Sequence, residues 1–247
     1  MSKHQEHFRG VMTALLGENQ FAGFPLDTIP TDTQGFQSPE NAPFFDAIFA
    51  RFQPECLLEL GSWKGTSAIM FAKRMLSYCS EPVIACVDTW IGSQEHWLNP
   101  KARGDLHLRW GYPTLYQRFV ANVLRAGVAE FIKPMPMMTR TAIKMLARAN
   151  VKVDAIYVDA SHEYQEVLDD LEGTWGLLAH SGFVIIDDFR APEVKRAVCD
   201  FCRRPEALAS YNADAPWPEV FMTKSKTVHD AAVAAYRGLA PVAEAAS

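Results

Sequence analysis

CLLELGSWKGTS, from Cys56 to Ser67, is the stretch of sequence that decides the fold. Its first five residues form an apolar run interrupted only by Glu59, which is typical of a strand buried on both faces of a parallel sheet. Gly61 ends this strand, and apolar residues at helical spacing follow over residues 66–76. The stretch therefore predicts a strand, a tight turn and a helix in succession.

Short apolar runs and longer amphipathic segments alternate along the rest of the chain. Further strands are predicted at 83–87, 131–133, 153–158, 183–186 and 220–222, with the sheet edge as the candidate place for the last. Helices are predicted at 112–125, 139–149, 163–178 and again after the fifth strand, and Ser181-Gly182 is predicted as a turn. Repeated strand-helix units predict an α/β fold: a doubly wound, mostly parallel, Rossmann-like sheet with helices on both faces.

Two regions interrupt this alternation. Residues 1–50 are predicted to form an N-terminal arm or lid with helical segments, because 17–43 are rich in Pro, Gly, Asp and Thr. Residues 89–111 form an insert after a strand end, and long connections of this kind are usually functional. The main domain is then 51–236, and the Ala-rich tail at 237–247 is predicted to fray.

Composition excludes several classes of protein. The net charge of -5 disfavours a nucleic-acid surface, which needs clustered Lys and Arg. No stretch approaches the ~18 apolar residues of a membrane span, and no apolar leader follows the polar N-terminus. The five cysteines are an odd number in a chain of this size, which disfavours a disulfide framework. A cytoplasmic protein is predicted, with Cys56 and Cys86 in its core.

Parallel α/β sheets bind ligands outside the carboxyl ends of their strands. The first strand end carries an acid and small residues that let a ligand approach the backbone, namely Glu59, Gly61, Ser62, Gly65 and Thr66. Their spacing differs from the GxGxxG of dinucleotide sites, and it suits a ligand that carries an amino-acid moiety and no phosphate. A plain strand-to-helix turn is the alternative.

The second strand ends in Asp88, followed by Thr89 and Trp90. An acid at this place can accept both hydroxyls of a ribose, whereas a helix cap or a surface carboxylate is the alternative. Trp90 is equally suited to pack against an adenine and to lie in the core. Together the first two strand ends predict a site for a nucleoside-like cofactor.

Three carboxylates follow the fourth and fifth strands, namely Asp159, Asp187 and Asp188. Crowded like charges are costly, and a hard cation such as Mg²⁺ relieves that cost through oxygen ligands. The alternatives are helix N-caps and solvated loops. His162 lies at a helix start three residues after Asp159, where it is a candidate general base or a capping residue. Five other histidines lack such a setting and are predicted to lie at the surface, namely His4, His7, His107, His180 and His229.

These residues carry a resemblance to a known family. Residues 59–67 resemble motif I of class I S-adenosylmethionine-dependent methyltransferases, and 87–90 resemble the ribose-binding strand end of that group. Residues 154–164 and 182–189 resemble the bacterial methyltransferase domain 24 subgroup, which is akin to metal-dependent O-methyltransferases. The resemblance implies a seven-stranded sheet, S-adenosylmethionine as cofactor and a divalent metal, Mg²⁺, held by Asp159, Asp187 and Asp188.

The implied reaction is methyl transfer to a hydroxyl of a small molecule, with Asp159 and His162 in the catalytic group. His162 stands where caffeoyl-type relatives have a lysine, so the identity of the base stays open. The acceptor is left open between a phenol, a sugar and another natural product, and relatives often form homodimers. The alternatives are a nicotinamide-dependent oxidoreductase, disfavoured because GxGxxG is lacking, and a non-catalytic cofactor-binding protein on the same fold.

Overall fold

One seven-stranded sheet organises the computed structural model, which describes residues 2–32, 42–211 and 219–237. Its strands are β1 Cys56–Leu60, β2 Val83–Asp88, β3 Ile132–Pro136, β4 Val153–Val158, β5 Leu178–Ile186, β6 Leu208–Ser210 and β7 Val220–Thr223. Their spatial order is β3-β2-β1-β4-β5-β7-β6. Strands β1 to β5 pair in parallel, whereas β7 is antiparallel to β5 and to β6. The predicted mostly parallel α/β sheet is confirmed.

Helices cover both faces of the sheet. They are α1 Lys3–Leu16, α2 Ala42–Phe52, α3 Thr66–Met75, α4 Gln94–Leu98, α5 Pro100–Arg103, α6 Leu115–Arg125, α7 Thr139–Arg148, α8 Tyr164–Trp175, α9 Pro192–Phe201 and α10 Lys226–Arg237. In the described part of the chain, short 3-10 helices lie at Leu26–Thr28 and Gly104–Leu106. Among the described residues, none of the helices combines the length and the apolar character that crossing a membrane requires.

The apolar strands are explained by two separate cores. In β1, Leu58 and Leu60 face one hydrophobic cluster, and Leu57 faces the other. Successive side chains of a strand point to opposite faces, so a central strand needs apolar residues at nearly every position. Cys56 and Cys86 are 0% exposed, which confirms that both are core residues.

Two helices of the N-terminal segment pack into the hydrophobic cores. Phe8 and Met12 of α1 are 0% exposed in the first core, and Phe45 of α2 is 0% exposed in the second. Helix α2 also runs through the predicted boundary between residues 50 and 51. The first fifty residues therefore supply helices to opposite faces of the sheet, although residues 33–41 lie outside the described part.

Three local predictions need correction. Strand β7 lies between β5 and β6, so the edge is β6, which is too short to leave a pattern in the sequence. Helix α8 ends at Trp175, and the predicted turn at Ser181-Gly182 lies inside β5. The pairing of β4 with β5 shifts register there, and a glycine inside a strand often marks such a bulge. Of the predicted frayed tail, Arg237 ends α10 and residues 238–247 lie outside the description.

Replacing a buried side chain of α1 tests whether that helix belongs to the core. Phe8→Ala is expected to lower the free energy of unfolding by about 3–5 kcal/mol, because it opens a cavity against the sheet. Leu15→Ala, at a 44% exposed position of the same helix, should change it by no more than about 0.5 kcal/mol. Equilibrium unfolding in urea measures both, and equally small losses would show that α1 is a peripheral arm.

Candidate functional site

The ends of neighbouring strands are tied together by backbone hydrogen bonds. The Asp159 N–H donates to the Leu60 carbonyl at 2.9 Å, and the Asp187 N–H donates to the Val158 carbonyl at 3.0 Å. These bonds extend the parallel ladders by one residue beyond the ends of β4 and β5. The acids that follow β4 and β5 therefore lie at the same sheet edge as the turn after β1.

The turn after β1 packs directly against the chain that follows β4. Gly61 has φ +84, and a Cβ atom there would lie 2.0 Å from the backbone oxygen of Asp159. Gly65 has φ +88 and directly precedes Thr66, the first residue of α3. A non-glycine residue is strained at such angles. Gly61 is therefore explained by the close approach of the two loops, and Gly65 by its positive φ and by the Phe119 ring 3.0 Å from its Cβ position, before any ligand is considered.

Glu59 is a buried acid beneath this turn. Its side chain is 0% exposed, and Oε2 accepts a hydrogen bond from Ser62 Oγ at 2.5 Å. Oε1 has no hydrogen-bond partner among the described residues. Burial raises the pKa of Glu59 to about 7, although the Ser62 hydroxyl favours the charged form. A buried carboxyl group with an unpaired oxygen is suited to a cationic or hydrogen-donating partner.

Asp88 holds the turn as well as facing the site. Its Oδ2 accepts the backbone N–H groups of Ser62 at 3.0 Å and Trp63 at 2.9 Å, and Oδ1 accepts that of Trp90 at 2.7 Å. A carboxylate offers about four acceptor positions, so these bonds leave little capacity for a ribose diol, which would use two. The main observed role of Asp88 is thus to fix the turn. Burial raises its pKa, although these bonds act in the opposite direction.

Trp90 is a core residue. It is 2% exposed, its ring lies 4.9 Å from that of Tyr116 and 4.8 Å from that of Phe119, and Nε1 donates to the Trp63 carbonyl at 2.7 Å. Of the two alternatives for this indole, the structure has the core position and leaves no face for an adenine. Thr89 is half-buried beside it, and its Oγ1 accepts a hydrogen bond from the Ile91 N–H.

The acidic group of the site includes a histidine. Ligand atoms of Asp159, His162 and Asp188 all lie within 4.8 Å of one another, close enough to share a metal ion. His162 Nε2 lies 3.0 Å from Asp188 Oδ2. Asp187 is not in this group, because its Oδ2 accepts the Tyr157 hydroxyl at 2.5 Å and its Oδ1 accepts the Asp188 N–H at 2.7 Å. The structure thus brings together two of the three predicted metal ligands.

Carboxyl groups are concentrated around this group. Burial, followed by the charges of Asp187 and Asp188, raises the pKa of Asp159 well above its usual range. Glu219 adds a further carboxyl group that sequence reasoning missed: it is 1% exposed and directly precedes β7. Burial and the same two charges raise its pKa to about 9. In the sequence, Glu219 is recognisable only as an acid before an apolar run. The pairing of β7 with β5 is what brings it close to Asp187 and Asp188.

The insert docks on the turn. The rings of His96 and Trp63 stack with centroids 4.4 Å apart, so the predicted overhang of the site lies against the turn after β1. Two histidines predicted at the surface have buried or half-buried partners instead. His107 Nε2 lies 2.8 Å from Asp32 Oδ2, and His4 Nε2 lies 2.6 Å from Asp154 Oδ1. These contacts join segments far apart in the chain, which periodicity does not reveal.

Comparison with known proteins identifies a family. The family described as a methyltransferase domain matches residues 58–189, more than half of the 247 residues. This segment contains the turn after β1, Asp88 and the whole acidic group except Glu219. No curated protein sequence matches the chain.

Solved structures share the fold at low sequence identity. A calicheamicin methyltransferase has a TM-score of 0.55 and 18% identity over 90% of this chain and 93% of its own. An O-methyltransferase of tomaymycin synthesis from Streptomyces achromogenes, solved with S-adenosylmethionine, has a TM-score of 0.53 and 12% identity over 90% of this chain and 98% of its own. An O-methyltransferase from Bacillus cereus, solved with S-adenosylhomocysteine, has a TM-score of 0.51 and 15% identity over 89% of this chain and 88% of its own.

The pH dependence of stability tests the burial of Glu59. Its pKa is raised from 4.5 to about 7 in the folded chain, so the folded state binds this proton more tightly than the unfolded state does. The free energy of unfolding should therefore fall as pH rises from 4.5 to 7, by about 3 kcal/mol relative to Glu59→Gln. Urea unfolding of both proteins across this range measures the difference, and parallel pH profiles would contradict it.

Proposed function

This chain belongs to the methyltransferase domain family, and we propose that it transfers the methyl group of S-adenosylmethionine to a hydroxyl group of a small molecule. The observation that carries the proposal is that the turn after β1 and the group of Asp159, His162 and Asp188 share one edge of the sheet. A cofactor turn beside oxygen ligands and a base is the arrangement that hydroxyl methylation needs. The O-methyltransferases of similar fold support the same reading.

Two carboxyl groups beside the turn, those of Glu59 and Asp88, fit this cofactor. Glu59 has a buried oxygen without a hydrogen-bond partner among the described residues, which suits an ammonium group. Asp88 ends β2 beside the turn, where its carboxylate would accept a ribose hydroxyl. Glu59, Gly61, Ser62 and Asp88 are the residues that would hold the cofactor. When bound, S-adenosylmethionine supplies a methyl group on a positively charged sulfur.

The acidic group fits Mg²⁺ through oxygen. Mg²⁺ is commonly held by one or two protein carboxylates together with water and substrate oxygens, and Asp159 and Asp188 offer those two. Such an ion would lower the pKa of an acceptor hydroxyl and orient it. Asp187 helps to position Asp188 by accepting its N–H, and it stays a predicted third ligand. His162 is then left to act as a base, because Mg²⁺ prefers oxygen to imidazole nitrogen.

His162 is arranged to take a proton. Its Nε2 lies against Asp188 Oδ2, so the tautomer with hydrogen on Nε2 leaves the Nδ1 lone pair for the acceptor hydroxyl. The hydrogen bond to Asp188 raises the pKa of His162 above its usual value, which strengthens it as a base. At 50% exposure the imidazole is also accessible to a substrate. Asp188 would stabilise the imidazolium formed after proton transfer.

Ligand binding separates the proposal from the oxidoreductase alternative. Calorimetric titration should show binding of S-adenosylhomocysteine and none of NADH, because the turn lacks the glycine spacing for a pyrophosphate. With S-adenosylmethionine and a panel of catechols, phenols and nucleotide sugars, at least one acceptor should gain the mass of a methylene group. That product should cease in EDTA and return with Mg²⁺. Binding of NADH alone would refute the proposal, and full activity in EDTA would refute its metal.

Replacement of His162 tests the base. His162→Gln should lower kcat by about 10²–10⁴-fold and leave the affinity for S-adenosylhomocysteine unchanged. In the unsubstituted enzyme, kcat/KM should rise with pH as His162 loses its proton, since a base must be neutral, and this rise should vanish in the variant. His180→Gln, at an exposed position, is the matched control. An unchanged pH profile in His162→Gln would assign the base elsewhere.

A further inference from the structure

A buried cation lies within the turn that the proposed function assigns to the cofactor. Lys64 stands between Trp63 and Gly65, and its side chain is 0% exposed. Its Nζ lies 2.8 Å from Asp32 Oδ2. Loss of the carboxylate that faces a buried ammonium group is unfavourable, because it removes the opposite charge from a poorly solvated position. The conformation of the turn therefore depends on a carboxylate from the N-terminal segment.

Asp32 contacts three parts of the molecule through one oxygen. Besides Lys64 of the turn, its Oδ2 lies 2.8 Å from His107 Nε2 of the insert and 3.4 Å from Arg118 Nη1 of α6. Asn122 reinforces the junction, since its Nδ2 donates to the backbone carbonyls of both Asp32 and Lys64, at 2.6 Å and 2.9 Å. Turn, insert, α6 and N-terminal segment thus meet at a single carboxylate.

We infer that Asp32 is a positioning residue for the turn Gly61–Gly65, acting through its ion pair with Lys64. The inference rests on the proposed function only in naming the ligand of that turn. Without Asp32, the long Lys64 side chain would move its ammonium toward water, and the backbone at residue 64 would follow. The adjacent N–H groups of Ser62 and Trp63 bind Asp88, so the shift would reach the cofactor residues directly.

A second aspartate provides a matched control outside the turn. Asp46 of α2 pairs with Arg74 of α3 at the same distance, 2.8 Å, but its side chain is 64% exposed. Exposed pairs contribute little to stability. Asp32→Asn and Asp46→Asn therefore make the same chemical change in a buried junction and on the surface.

The experiment compares the two variants in the full chain by hydrogen exchange and calorimetry. In the cofactor-free protein, amides of residues 60–66 should exchange faster in Asp32→Asn and be unchanged in Asp46→Asn. The Kd for S-adenosylhomocysteine should rise at least about tenfold in Asp32→Asn, whereas Asp46→Asn should stay within about twofold. Asp32→Glu, which keeps the carboxylate, should restore the Kd to within about threefold of the original value.

Specific results would contradict the positioning role of Asp32. A lower melting temperature in Asp32→Asn with unchanged exchange and Kd would mean a purely structural role and overturn the inference. Should that variant not fold, the double variant Asp32→Asn/Lys64→Met carries no unpaired charge at the pair. Turn exchange in the double variant should match that of the original chain, because no ammonium is drawn toward water. Faster exchange in it would overturn the inference, since Asp32 would then hold the turn by a route other than Lys64. Failure of the original chain to bind S-adenosylhomocysteine would count against the proposed function alone, because exchange in the cofactor-free protein still decides the role of Asp32.

Discussion

Parallel pairing of β1, β2, β4 and β5 is the constraint on which the rest of the structure depends. Because these strands run in one direction, their carboxyl ends meet at one edge, and every polar group that follows them is brought into a single region. Strands β1, β2 and β4 are buried on both faces and are almost entirely apolar. Glu59 is the polar exception within β1. Its buried Oε1, which has no hydrogen-bond partner among the described residues, lies beneath the turn.

The same constraint creates an electrostatic cost. Asp159, Asp187, Asp188 and Glu219 crowd one sheet edge, and burial with mutual repulsion raises the pKa values of Asp159, Asp187 and Glu219. Natural sequences break local rules of this kind mainly where function requires it. The Asp188 backbone, with φ +50, adds local strain at the same place. A cation would relieve the crowding, which is why the metal and the methyl acceptor belong to one proposal.

The turn after β1 is held from several directions before any ligand binds. Asp88 accepts its N–H groups, Asp32 neutralises Lys64, His96 stacks on Trp63, and the Asp159 backbone leaves no room for a Cβ at Gly61. A turn fixed in this way spends little conformational entropy on ordering when a ligand arrives. The N-terminal segment and the insert, which look peripheral in the sequence, both contribute to that order.

The sequence by itself determined the α/β class, the parallel strands, the buried cysteines and the strand ends that bear the site, since apolar periodicity and strand-end acids are local signals. Only the tertiary structure decided that Trp90 lies in the core, that Asp88 fixes the turn and that Asp187 binds Tyr157 while His162 joins Asp159. It alone revealed Glu219 and the pairing of Lys64 with Asp32. The physical reason is that a side chain's partner depends on which segments meet in space. Contacts between residues far apart in the chain, such as Trp63 and Asp88 at a separation of 25 positions, leave no periodic trace in the sequence.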